Sequence, residues 1–74
     1  MEAGSSFYRS VPAPKGVGSG HRVHVLLLSG GRGFTYEILD GKDNLIRRDF
    51  AHHPAPGLAS AAALAWLQEF KEHL

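Results

Sequence analysis

Leu58-Ala59-Ser60-Ala61-Ala62-Ala63-Leu64-Ala65-Trp66-Leu67-Gln68-Glu69-Phe70-Lys71-Glu72-His73-Leu74 carries the clearest structural signal in the chain. Ala59, Ala63, Trp66, Leu67, Phe70 and Leu74 recur at helical spacing and, at about 100° per residue, fill one arc; Gln68, Glu69, Lys71 and Glu72 fill the opposite one. The alanine run from Ala59 to Ala65 raises helix propensity further. Pro56 suits a first-turn position, although Ala55 is a poor cap; Ser60 is the better cap if the helix starts later. A helix with one apolar arc must lay it on something. The rest of the chain supplies a sheet.

Immediately before the helix, His52-His53-Pro54-Ala55-Pro56-Gly57 ends any strand, because proline cannot donate to a ladder. Three alternating runs precede that break. In His21 to Ser29, Val23, Val25 and Leu27 share one face, with Arg22, His24, Leu26 and Leu28 on the other. Gly30-Gly31-Arg32-Gly33 reads as a turn, and Phe34 to Asp40 alternates again, Phe34, Tyr36 and Ile38 against Thr35, Glu37 and Leu39. Asp40-Gly41-Lys42-Asp43-Asn44 is a second turn. Leu45 to Phe50 gives a third strand, with Ile46 and Phe50 facing one way and Leu45, Arg47 and Asp49 the other. Short connections make these antiparallel neighbours in the order 1-2-3. The expected fold is α+β with two layers: a three-stranded antiparallel meander followed by one C-terminal amphipathic helix, β-β-β-α. Trp66, Leu67 and Phe70 should pack on Val23, Val25, Leu27, Tyr36 and Ile38.

The first twenty residues differ in kind. Met1 to Gly20 is rich in glycine, proline and serine, and Met1, Phe7, Tyr8, Val11 and Val17 fall at no regular period. Ordering costs about 1–2 kcal/mol per residue in backbone entropy, which so little burial does not offset. Residues 1–20 therefore read as a flexible, disordered N-terminal arm and residues 21–74 as one domain. The chain's 74 residues permit a single thin core, and without cysteine no disulfide or thiolate metal site can reinforce it. No window approaches the roughly 18 apolar residues of a membrane span and no apolar signal core opens the chain, so a cytoplasmic location away from the membrane is expected.

If the helix covers the Val23/Val25 face, then Leu26, Leu28, Leu39 and Leu45 point the other way, grouped near one end of the sheet. A small monomer seldom leaves such a patch in water. The first and third strands are also edges with unpaired backbone groups. One protein surface laid on the back of the sheet answers both, and a homodimer is the commonest form of it. The alternative is that the arm folds back, placing Phe7, Tyr8 and Val11 there.

Chemistry finds little to use. His21 and His24 diverge across a strand, His52 and His53 diverge if extended, and His73 lies at the helix end, so they read as surface imidazoles rather than metal ligands. Asp40 and Asp43 are turn formers, Glu69 and Glu72 are solvated helix residues, and Glu37 fits a cross-strand pair with Arg22 or Arg47. No nucleophile elbow is present, and a folded part of this size leaves little room for a pocket of roughly 300 Å³ or more. Both glycine-rich stretches lack the strand-then-helix context of a phosphate loop. The expectation is no enzyme and no cofactor.

The main alternative is nucleic-acid binding through Arg22, Arg32, Lys42, Arg47 and Arg48. Lys plus Arg is 8 against 7 for Asp plus Glu, a net +1, too even for a polyphosphate grip. In the sheet region those five cations face Glu37, Asp40, Asp43 and Asp49, again a balance of +1. Phe34 and Tyr36 share the helix-covered face, which leaves no aromatic pair for base stacking. Phe34-Thr35-Tyr36-Glu37-Ile38-Leu39-Asp40-Gly41-Lys42, a third strand and then Ala61-Ala62-Ala63-Leu64 are similar in layout to the strand-strand-strand-helix half of double-stranded-RNA-binding domains. The similarity is one of topology over residues 21–74. That family's preceding helix is missing, and Gly57-Leu58-Ala59-Ser60 stands where its phosphate-clamping lysines open the last helix. The function expected is protein association, with Leu26, Leu28, Leu39 and Leu45 as the interface.

Overall fold

The computed structural model of the chain describes residues 5–14 and 20–71. In chain order these form β1 (Ser5–Pro12), β2 (Arg22–Leu28), β3 (Gly33–Leu39), β4 (Leu45–Arg48) and α1 (Pro56–Glu69). The strands make one antiparallel sheet in the order β1-β2-β3-β4, with α1 across β2 and β3. The α+β class and the meander stand, but the sheet has four strands rather than three.

The added strand corrects the reading of the arm as flexible over residues 5–12. Ser5 pairs with Leu28, Phe7 with Leu26, Arg9 with Val25 and Val11 with Val23, and the register shifts between Phe7 and Arg9. That bulge hides the strand from a period-two search. An extra residue flips the facing on one side of it, so Phe7 lies on Leu26's face while Val11 lies on Val23's. Tyr8, at the bulge, sets its ring edge-on to Phe34, 5.1 Å between centroids. The arm's apolar residues are thus divided between the two faces. Residues 1–4 and 15–19 of the arm lie outside the described residues, as do Glu72, His73 and Leu74.

β2 and β3 form the central hairpin, paired from Arg22↔Leu39 to Leu28↔Gly33. Its turn runs through one 3-10 turn, Ser29–Gly31, with Gly30 at φ 75°. Gly33 holds φ 113°, and a Cβ there would stand 2.5 Å from the His53 carbonyl oxygen. The close approach is used: Phe34 and His53 exchange backbone hydrogen bonds of 2.7 and 2.8 Å, tying the chain beyond β4 back to β3. The second turn is organised by Asp40, whose carboxylate accepts the Lys42 and Asn44 amides at 2.8 and 2.9 Å. Those bonds, Asn44's first, together with the charge of His21, hold the Asp40 carboxyl below its ordinary value despite some desolvation.

Val23, Val25, Tyr36 and Ile38 on the sheet and Ala59, Ala63 and Leu67 on α1 are the buried core. The helix buries positions i, i+4 and i+8, and two of the three are alanines whose small side chains let it lie close to the strands. Full burial of one side chain such as Leu67 contributes roughly 1.5–3 kcal/mol. Trp66 and Phe70 are half-buried at the flank, with rings 4.8 Å apart, and Leu27 remains 40% exposed beyond the helix. α1 begins at Pro56 with Ala55 as its N-cap, without a side-chain cap. Ser60 is not the cap: its hydroxyl donates back to the Gly57 carbonyl at 3.1 Å.

Candidate functional site

The face of the sheet away from α1 carries Phe7 on β1, Arg22, His24, Leu26 and Leu28 on β2, Thr35, Glu37 and Leu39 on β3, and Leu45 and Arg48 on β4. All four leucines expected at an interface are here. They are not grouped at one end, however. Leu26 and Leu28 lie toward the β2–β3 turn, whereas Leu39 pairs with Arg22 and Leu45 at the other end. A hairpin runs its two strands in opposite directions, so late residues of β2 and late residues of β3 are as far apart as the sheet allows. Between the two leucine pairs sit His24, with Phe7 edge-on at 5.3 Å, and the Glu37–Arg48 pair.

The Leu26/Leu28 end is shaped into a groove of about 360 Å³, with Leu26, Leu28, Thr35, Arg48, Phe50 and His52 among its lining. This is larger than the chain length suggested. Its wall is the segment after β4, anchored on both sides of Phe50. The Asp49 amide donates to the Tyr36 carbonyl at 3.1 Å, and the Asp49 carbonyl accepts the Thr35 hydroxyl at 3.0 Å. The Asp49 carboxylate bonds His53 Nε2 at 2.9 Å and accepts the Ala51 amide at 3.3 Å. Burial pushes the Asp49 carboxyl up, but the bonds from His53 and Ala51 and the charges of His53 and Arg47 outweigh it and hold it below its ordinary value. Between these anchors Phe50 stands 83% exposed. Reading residues 45–50 as one regular strand concealed this; the signal was the succession of Phe50, His52 and Pro54, which a ladder cannot absorb.

The cations proposed for nucleic acid are scattered. Arg22 pairs with Asp43, and Arg48 pairs with Glu37, its Nε donating at 2.9 Å. Arg47 is on the helix side, contrary to expectation: β4 shifts register between Ile38 and Leu39, which turns Arg47 toward Ile38's face. There it donates to the Tyr36 hydroxyl at 3.0 Å and lies over the Trp66 ring at 5.2 Å. Glu37 therefore takes Arg48 rather than Arg22 or Arg47. Arg32 and Lys42 stand in exposed turns at opposite ends of β3.

The histidines are not uniformly surface groups. His21 is 8% exposed and its Nδ1 has no hydrogen-bond partner among the described residues, His53 is half-buried against Asp49, and His52 is exposed. Among the described residues no three His, Asp or Glu side chains stand together as metal ligands, and no helix is long and apolar enough to cross a membrane. Comparison with known proteins finds no matching family model, no matching curated protein and no matching solved structure.

Proposed function

We propose that this chain is a cytoplasmic, non-enzymatic association domain that binds a second protein surface, most simply its own copy, through the sheet face opposite α1 and the adjoining edge strands. The observation that carries the reading is the one-sided roof: α1 seals Val23, Val25, Tyr36 and Ile38, while among the described residues no second layer lies over Leu26, Leu28, Leu39 and Leu45. Leu45 is 51% exposed and Phe7 60%. β1 adds an eight-residue edge whose only charge is Arg9, unlike the four-residue, two-arginine β4. The long and middle extents of the molecule, 36 and 23 Å, bound a face on the order of the ~800 Å² per partner that a stable interface covers.

Sedimentation across concentration tests this. The unaltered chain should associate, and the double variant Leu28→Glu, Leu39→Glu should be monomeric with its helical circular dichroism retained. A chain monomeric at about millimolar concentration sinks the self-association reading. The nucleic-acid alternative draws less support, since Arg22 and Arg48 are matched by carboxylates and Arg47 is under the helix edge. It would show as salt-sensitive amide shifts at Arg22, Arg32 and Lys42 on adding duplex RNA or DNA.

A further inference from the structure

Phe50 is itself one wall of the groove over Leu26 and Leu28, and ring and groove have matching properties. The ring is the most exposed large apolar side chain among the described residues, at 83%. It is held there by anchors on either side, Asp49 to Tyr36 and Thr35, and His53 to Phe34. The adjoining groove has an apolar floor, Leu26 and Leu28, and about 360 Å³ of space. A cavity of about 150 Å³ is enough to hold a benzene ring, so the groove has room for a phenyl group in addition to the side chains that already line it.

Two properties select the occupant. A knob and its socket on the same patch are the geometry of an isologous contact, in which each copy gives the element that the other receives. The charge on the face points the same way. Arg48 is matched by Glu37 and Arg22 by Asp43, so the face is internally neutral. Two copies meet without like-charge repulsion, and neither an anionic nor a cationic partner gains a net attraction. We infer that Phe50 of each copy inserts over Leu26 and Leu28 of a second copy of this chain, forming a two-fold contact centred on the Phe50 loops.

This rests on the self-association reading and adds its central contact. The ring is 83% exposed in its own chain, so Phe50→Ala should leave the thermal midpoint of the dilute protein unchanged while weakening association about 10- to 100-fold, the range of a buried aromatic anchor. Phe50→Trp should restore most of it. In a mixture of isotope-labelled and unlabelled full chain, filtered NOEs should connect the Phe50 ring of one copy to the Leu26 and Leu28 methyls of the other. If the unaltered chain associates and the Leu28→Glu, Leu39→Glu variant does not, yet Phe50→Ala associates as before, the inference is overturned and the broader reading stands. Phe50–Leu28 NOEs that are wholly intrachain and independent of concentration overturn it as well, assigning the groove to the chain's own ring. A chain monomeric at every concentration removes both.

Discussion

The two faces of this sheet use the same strands and the same alternation, yet one is sealed and the other is not. On the helix side Val23, Val25 and Ile38 are fully buried, each under α1. One residue along, Leu26, Leu28 and Leu39 are only half-buried. Hydrophobic character does not by itself make a core; a second layer does, and the described residues supply one helix for two faces. The helix side holds the domain together, and the open side is left to do something else.

The largest effect that can test this contrast is a cavity. Leu67→Ala removes a fully buried side chain from α1 at the sheet and should cost about 2–5 kcal/mol. For a domain this small that is most of its stability. Leu28→Ala, a leucine of the open face, should cost about 1 kcal/mol or less when the protein is dilute. Urea unfolding of both variants at low concentration measures the pair. Equal losses would mean that the open face is a second core and that the contrast is false.

Asp49 sits where the faces meet, since its carboxylate holds His53 and neighbours Arg47 on the helix side while its carbonyl holds Thr35 on the open side. Its carboxyl is depressed in the folded state. A depressed carboxyl stabilises the fold above the unfolded value of about 3.9, and that stability is lost as pH falls through the folded value. The unaltered chain should therefore lose stability on acidification below about pH 5. Asp49→Asn should cost about 1–3 kcal/mol at neutral pH and flatten that acid limb, leaving the slope due to Asp40. Denaturation midpoints from pH 7 to pH 2 check both. An unaltered slope in the variant would show that Asp49 is not the acid-sensitive anchor.

How far this architecture was legible in the sequence depended on whether period alone sufficed. β2 and β3 alternate at two residues, and both were found within a residue of their starts; α1 was legible as a helix, but its start was left open between Pro56 and a Ser60 cap, and it begins at Pro56. β1 was missed because its bulge puts Phe7 on one face and Val11 on the other, so no single period fits. The same device in β4 misplaced Arg47, which a regular strand would have put with Leu45. At the site, alternation correctly put Leu26, Leu28, Leu39 and Leu45 on one face. Their division into two pairs follows from hairpin antiparallelism, which could have been applied to the sequence. The Phe50 loop could not have been reached in that way. Pro54 marks where pairing must stop, but the placement of Phe50 depends on the Phe34–His53 exchange and on the Asp49 backbone bonds to Thr35 and Tyr36, long-range contacts that leave no local pattern.

The smallest expected effect concerns the charges of the open face. Arg48 and Glu37 form an ion pair whose arginine is more than half exposed, so its removal should change the stability of the dilute protein by less than about 1 kcal/mol. Its consequence for the contrast between faces is larger than that figure. Glu37→Gln leaves Arg48 unmatched and the face net positive, and in a two-fold contact the same charge is brought up from both sides. Association should weaken at low salt and recover as ionic strength rises and screening shortens to about 3 Å at 1 M. The direction of the salt dependence separates the causes, because a variant that lost association through misfolding would not regain it in salt. Sedimentation of Glu37→Gln at low and high ionic strength, beside the unaltered chain, reads this directly. If the variant associates equally at both, the neutrality of the face plays no part in bringing two copies together.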